Sequence, residues 1–162
     1  MIATAHIKCD CNGVKFNSKT AIFKLMRITI DRRNLGDELN DIIANPGRVK
    51  GRELISYAID YLRRSRESDD RSAAEYLWAA STLAVEALGA YRENQKIVSL
   101  RDQWMYVIYV SITLNKPELL QWWRTALAVR LGYEESSIPS EEIRLARKDI
   151  ENLVSFVASI VK

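Results

Sequence analysis

A single stretch, Ser72 to Tyr91, constrains the fold of this chain more than any other. It reads SAAEYLWAASTLAVEALGAY, which is apolar or small at almost every position. Only a narrow polar stripe interrupts the pattern, formed by Glu75, Thr82, Glu86 and Glu93. A helix that is apolar around most of its circumference is normally a buried one. We therefore predict a central helix here, whose alanines are small enough to let neighbouring helices come close.

Composition and length favour one folded, helical domain. The chain has 162 residues, 48% of them hydrophobic and 28% charged, which is typical of globular rather than disordered proteins. Only three prolines and six glycines are present, which favours long helices over many short strands. No apolar run approaches the roughly 20 residues that span a bilayer, and the N-terminus lacks the apolar core of a secretory signal. We expect a cytoplasmic protein that does not bind membranes.

The N-terminal segment differs from the remainder in charge. Residues 1–33 contain seven Lys and Arg against two Asp, a net charge of about +5, which leaves residues 34–162 close to −2. We therefore divide the chain into a basic extension, 1–33, and a helical domain, 34–162. Asn12-Gly13 between two short alternating runs indicates a β-hairpin in the extension. Met1 and Met26 are both possible natural starts, and the basic excess is either a solvated arm or a polyanion contact.

The cysteines give little evidence for a metal site. His6, Cys9 and Cys11 form an H-x-x-C-x-C pattern, and no other Cys or His exists in the chain. A structural zinc site normally has four ligands. We predict surface thiols and no bound metal.

Apolar spacing and capping residues predict six helices. Their approximate ranges are residues 35–44, 50–67, 72–91, 100–114, 117–131 and 141–161. Ser72 with Glu75 matches a capping box, Gly132 is placed to end the fifth helix, and Ser140 is a good N-cap for the last. In that last helix, Arg147 and Glu151 are spaced to form an ion pair.

In two of the predicted helices, the apolar and aromatic residues do not all lie on a single face. The helix over 100–114 is apolar on most faces, so we expect it to be buried or to lie in an interface. Trp122 and Trp123 are adjacent and cannot face the same way on a helix. At least one of them should lie in a groove, in an interface or partly in water.

An arginine cluster ends the second predicted helix. Arg63, Arg64 and Arg66 lie where cations complement the helix dipole, although they could also contact phosphate. Glu67 and the acidic residues that follow it dilute this charge, which favours the structural interpretation.

The chain lacks the common catalytic motifs. It contains no phosphate-binding glycine loop, no H-E-x-x-H and no C-x-x-C. Its one histidine, His6, precedes the helical region, which argues against histidine-dependent acid–base chemistry in residues 34–162. The carboxylates Asp60, Glu75, Glu86, Glu134 and Glu135 form no recognisable pair. We therefore predict no catalytic residue and no cofactor.

Several short motifs occur in an order that resembles a known family. They are YLRRSRESDDRSAAEYLWAASTLAVEALGAYR, SLRDQW, NKPELLQWW, RLGYEE and EEIRLARKDIENLVSFV, over roughly residues 50–161. This order resembles the archaeal PaREP family of small helical proteins, which looks related to the HEPN superfamily. The resemblance implies an up-and-down antiparallel bundle of four to six helices that forms a homodimer. HEPN relatives include RNA-cleaving toxins, RNA- or nucleotide-binding modules and companions of nucleotidyltransferases.

The resemblance also indicates candidate binding residues. Arg101, Asp102 and Trp104 match the SLRDQW segment, and Tyr133 and Glu134 match RLGYEE. We take Arg101, Asp102, Arg124 and Tyr133 as the predicted binding site, with the two arginines as phosphate contacts.

Two histidines common in the family are replaced here. Leu100 and Val129 stand at those positions, and no arginine of the helical region is followed by a histidine four to six residues later. RNA cleavage by the usual HEPN route would therefore lack its acid–base group.

Three functional hypotheses follow. The first is a non-catalytic, dimeric bundle that binds RNA, a nucleotide or a protein partner. The second is an unconventional ribonuclease toxin in which a carboxylate or Tyr133 replaces the histidine. The third is a structural assembly subunit whose association is driven by the apolar faces around Trp104 and Trp122.

Overall fold

The structure, a computed structural model, describes residues 43–135 and 138–162. These residues form five α-helices and no strand, which confirms the predicted all-α bundle. The helices are α1 (Pro46–Arg66), α2 (Asp70–Glu93), α3 (Leu100–Thr113), α4 (Glu118–Glu134) and α5 (Ser140–Ile160). The basic extension, its predicted hairpin and its cysteines lie outside the described residues. Of the helix predicted over 35–44, only Ile43 and Ala44 are described, and both are helical.

Helix α2 is central, as its composition predicts. It packs against each of the other four described helices. Its alanines at 73, 74, 80, 84 and 87 are fully buried. Their small side chains bring the neighbouring backbones close, most of all that of α1: a Cβ on Gly51 would lie 2.7 Å from Tyr91 Cβ and 2.8 Å from Ala87 O.

Four helices form an up-and-down core. Helices α1 and α2 run antiparallel, since Gly51 lies against Ala87 and Tyr91 while Tyr61 contacts Tyr76. Helix α4 is antiparallel to α5, with Thr125 bonded to Asp149 and Trp122 against Phe156. The largest fully buried side chain is Trp123 of α4, which contacts Trp78 of α2. Trp122 is only partly buried, so the two adjacent tryptophans diverge as predicted.

Helix α3 stands outside this core. It packs against α2 and α4 but, in the part of the chain that the structure describes, against neither α1 nor α5. Gln103 Nε2 donates to Glu86 Oε1 (3.3 Å), which fixes the first turns of α3 beside the C-terminal half of α2. Among its apolar residues, Tyr106, Val107 and Val110 are buried. Helix α3 therefore lies on the bundle as an added element between α2 and α4.

Three predicted helix ends differ from the structure. The N-cap of α2 is Asp69, whose Oδ1 accepts from the Ser72 backbone N–H (3.0 Å), so the predicted capping box at Ser72 is wrong. An aspartate is as good a cap as a serine and begins the helix earlier. Helix α1 begins at Pro46, because proline is tolerated in the first turn, where no intrahelical partner is needed for its missing N–H. Helix α4 continues through Gly132 to Glu134, with Gly132 packed beneath Ile138.

The start of α5 and its predicted ion pair also differ. Pro139 precedes the helix, and the Ser140 hydroxyl donates to the carboxylate of Asp70 instead of capping its own helix. Arg147 Nη2 donates to the Ser65 carbonyl (2.9 Å), while Glu151 accepts from Arg66 (2.7 Å). Both side chains of the expected Arg147–Glu151 pair are therefore used to hold α5 against the end of α1.

Candidate interaction surface

The outer side of α3 is apolar and open. Met105 and Ile112 are 58% and 73% exposed, and Tyr109 between them is about half exposed. The spacing of these residues, i, i+4 and i+7, places them on one face of the helix. Val98, in the segment just before α3, is also exposed. We call Val98, Met105, Tyr109 and Ile112 the α3 face.

This face follows from the position of α3 in the fold. A helix in the middle of a bundle can cover apolar residues on several sides, but among the described helices α3 touches only α2 and α4. The sequence predicts burial or an interface for this helix. The structure covers one side of it and leaves the other in water within the described residues.

Arg101 and Asp102 lie together in the first turn of α3. Asp102 takes part in the N-terminal cap of α3. Its backbone N–H donates to Oγ of the N-cap Ser99 (3.1 Å), and its carboxylate accepts from the same hydroxyl (2.6 Å). Arg101 is exposed and, among the described residues, has no hydrogen-bond or ion-pair partner. It precedes Met105 by four residues and therefore stands at one end of the α3 face.

Arg124 and Tyr133 lie elsewhere, on α4. Arg124 is exposed and is likewise without a partner in the described parts of the chain. Tyr133 is partly buried, and the guanidinium of Arg71 covers its ring at 5.7 Å. Arg71 is in the first turn of α2, whereas α3 is bonded to Glu86, about 22 Å further along the same helix at 1.5 Å per residue. The structure does not bring Tyr133 together with Arg101 and Asp102.

The arginine cluster at the end of α1 is neutralised by carboxylates. Asp60 pairs with Arg63 (2.7 Å) and with Arg64 (2.8 Å), and Glu151 pairs with Arg66. The hydrogen bond from Arg63 lowers the pKa of Asp60. These contacts favour the structural interpretation of the cluster over a phosphate-binding one.

A groove runs beside the α3 face. It has a volume of about 630 Å³ and lies between the C-terminal end of α2 and α3. Its wall includes Met105 and Tyr109 of the α3 face together with the carboxylates of Glu93 and Asp102. Tyr106 also lines it; burial raises the pKa of its hydroxyl, so this group remains a neutral donor. The hydroxyl is buried without a hydrogen-bond partner in the described structure.

A second cavity, of about 340 Å³, lies on the other side of the segment that joins α2 to α3. We call it the Glu86 slot. Lys50 and Leu54 of α1 form one wall, Glu86 and Ala90 of α2 form the floor, and residues 94–97 form the other wall. Burial raises the pKa of the Glu86 carboxyl, while the charges of Lys96 and Lys50 act in the opposite direction.

Two further findings concern metal binding and membrane insertion. In residues 43–135 and 138–162, no three His, Cys, Asp or Glu side chains are grouped so that they could hold a metal ion. None of the described helices combines the length and the apolarity needed to cross a membrane.

The chain matches no protein-family model, no curated protein and no solved structure. The resemblance to the PaREP family and the HEPN superfamily therefore stays a prediction from the sequence motifs.

Sequence reasoning missed two features of this region. The apolar spacing of Met105, Tyr109 and Ile112 was visible in the sequence. The sequence did not show which side of α3 the other helices would cover. The Glu86 slot gave no sequence signal, because it forms only where residues 94–97 fold back against α1 and α2.

Proposed function

We propose that this chain is a non-catalytic helical-bundle binding module that acts as a homodimer, with the α3 face as its contact surface. The observation that carries the proposal is the exposed apolar stripe on a helix that lies outside the four-helix core. Contiguous apolar surface of this kind marks interaction sites in soluble proteins.

The arrangement of the α3 face favours a second copy of the chain as the partner. Ile112 lies seven residues after Met105, and α3 begins five residues before Met105. Two α3 helices packed antiparallel around a two-fold axis at Met105 would therefore place Ile112 at the N-terminal end of α3 of the other copy, the end that the exposed Val98 precedes. The same packing would bring Arg101, which has no partner within the described residues, beside the Tyr109 ring. An isologous interface needs such self-complementarity.

Analytical ultracentrifugation over a concentration series tests the homodimer. We expect the wild-type chain to dimerise and Met105→Lys to be monomeric, since a buried, unpaired ammonium is costly in an apolar interface. Ser155→Lys, an exposed change on α5, is the matched control and should leave the dimer intact. A wild-type chain that is monomeric up to about 100 μM, or a Met105→Lys variant that still dimerises, would contradict the proposal.

RNA binding is a second candidate function. It is favoured by Arg101 and Arg124, two exposed arginines whose charge no described carboxylate neutralises. Binding of labelled RNA across a salt series tests it, because phosphate contacts release counterions and weaken steeply with salt. Loss of binding in Arg101→Ala and Arg124→Ala, with Lys148→Ala as the exposed-cation control, supports specific phosphate contacts. Equal losses in all three variants argue against those two residues, and RNA cleavage would favour the ribonuclease alternative.

A further inference from the structure

The Glu86 slot holds a carboxylate whose hydrogen-bonding capacity is largely unused. A carboxylate has about four acceptor sites, and Glu86 uses one for Gln103 Nε2 at 3.3 Å. Within the described structure no cation approaches Glu86 closely enough to form an ion pair, although Lys96 and Lys50 are near enough to affect its titration. A partly buried carboxylate with unused acceptor sites is suited to accept a hydrogen bond from a charged donor.

The slot is also lined by a cation, Lys96, that is unpaired among the described residues. Lys50 is held by Glu53, with 2.9 Å between Nζ and Oε2. Lys96 has no hydrogen bond or ion pair in the described part of the chain, and it lines the slot together with Glu86. The lining of the slot therefore includes one carboxylate, Glu86, and one ammonium, Lys96, that have no ion-pair partner among the described residues, and the charge of Lys96 acts on Glu86.

Much of the remaining lining is apolar, although Asn94 and Gln95 also belong to it. Leu54, Ala90 and Ile97 line it, and Ile97 is itself buried against the bundle, which fixes the wall to which it belongs. The volume of about 340 Å³ would hold about eleven water molecules at roughly 30 Å³ each. That is ample room for a free amino acid.

We propose that the Glu86 slot binds a small zwitterion with an aliphatic side chain, that is, a free aliphatic α-amino acid. The ligand's ammonium donates to the Glu86 carboxylate, its carboxylate accepts from the Lys96 ammonium, and its side chain packs on Leu54 and Ile97. Because the ligand carries both charges, it pairs with both groups without adding net charge to the site. This inference is independent of the homodimer and of RNA binding.

Titration of the ¹⁵N-labelled full-length chain with L-leucine, followed by NMR, tests the proposal. We expect saturable shifts of the backbone amides of Ala90, Lys96 and Ile97. Two analogues separate the charges: 3-methylbutan-1-amine lacks the carboxylate, and 4-methylpentanoate lacks the ammonium. Each should bind at least about tenfold more weakly than L-leucine, since each leaves one charged group of the slot unpaired.

Two variants assign the roles of the charged groups. Glu86→Gln should weaken L-leucine binding by about tenfold or more, because the ammonium loses its ionic partner. Lys96→Met should abolish the advantage of L-leucine over 3-methylbutan-1-amine. Glu75→Gln lies on the same polar stripe of α2 but outside the slot, and it should bind L-leucine as the wild type does.

Three results would overturn the proposal. The first is the absence of saturable shifts at millimolar L-leucine. The second is equal binding by the Glu86→Gln variant and the wild type, both shown to be folded by their amide spectra. The third is equal binding of L-leucine and 4-methylpentanoate, which would indicate apolar contact alone.

Discussion

Glu86 and Glu75 belong to the same polar stripe of α2, but their side chains differ in burial. In the sequence Glu86 is one of four members of the polar stripe of α2. In the structure Glu75 of that stripe is exposed, whereas Glu86 is partly covered by the wall of residues 94–97. Its carboxylate is partly desolvated, and among the described residues Gln103 is the one that donates a hydrogen bond to it. The pKa of Glu86 is raised for this reason.

The raised pKa predicts how stability depends on pH. The folded chain binds the Glu86 proton more tightly than the unfolded chain, whose carboxyl titrates near the ordinary value of 4.5. The contribution of this group is therefore most favourable below pH 4.5 and declines as pH rises from there through the raised folded-state value. Glu86→Gln retains an acceptor for Gln103 and removes the ionisation. We expect this variant to match the wild type near pH 4 and to exceed it in stability at pH 7.

Urea unfolding at several pH values measures this difference. Glu75→Gln is the control, since Glu75 belongs to the same polar stripe but is exposed and lies outside the slot. A Glu86→Gln variant that is less stable than the wild type at pH 7 would show that the ionised carboxylate stabilises the fold.

At the scale of helices, apolar spacing predicted the described elements well. The five helices lie where the pattern of apolar positions placed them, and α2 is central because its buried alanines let neighbouring helices pack closely against it. The ends were less predictable because neighbouring residues compete for the same role: Asp69 caps α2 in place of Ser72. Gly132 continues α4 because Ile138 packs on the helix at that point, a contact that no local pattern reveals.

The candidate sites depended even more on tertiary structure. The apolar residues of α3 were evident in the sequence, but their exposure depends on α3 lying outside the four-helix core. The sequence also could not show that Arg101 and Arg124 have no partner among the described residues. Most other arginines of the described helices contact carboxylates, carbonyls or aromatic rings, and several of these contacts join residues distant in sequence, such as Arg66 and Glu151.

The contact between α1 and α2 predicts a strong effect of one added methyl group. In Gly51→Ala, the new Cβ would meet backbone and Cβ atoms of α2 at 2.7–2.8 Å, so the helices must separate. We expect a loss of roughly 1–3 kcal/mol from this overpacking, reduced by up to about 1 kcal/mol through the better helix propensity of alanine. Thermal unfolding followed by circular dichroism measures the change.

Gly132→Ala is the matched comparison. Its Cβ would first meet Ile138 side-chain atoms at 3.0–3.2 Å, and a side chain can move more easily than a helix backbone. We expect a smaller loss than in Gly51→Ala. An equal or larger loss in Gly132→Ala would mean that packing is no tighter at Gly51, between α1 and α2, than at Gly132.

At the scale of the molecule, an up-and-down core of α1, α2, α4 and α5 carries α3 as an added helix. Among the described helices, α3 contacts α2 and α4 alone, so it should open locally more often than the central helix α2. We therefore expect amide hydrogen exchange to be faster in α3 than in α2 when the protein is dilute.

Dimerisation through the α3 face would change this exchange pattern. At high protein concentration, the amides of α3 should become protected, while those of α1 should not change. Mass spectrometry of peptic fragments at two concentrations measures both helices in one experiment. Protection that is independent of concentration in the wild type, or that persists in Met105→Lys, would contradict the α3 face as the dimer contact.

The antiparallel pairing of α1 and α2 also has a kinetic consequence. These helices are neighbours in the chain, joined by a turn of three residues, and their contacts close short loops at little entropic cost. Helix α5 instead meets α1 across some 80 residues, as in the bond from Arg147 to Ser65. We expect the α1–α2 pair to form the folding nucleus, so that Ala80→Gly slows refolding while Val157→Ala mainly accelerates unfolding. The alanines of α2 that let α1 approach closely would then also determine the folding rate of the bundle.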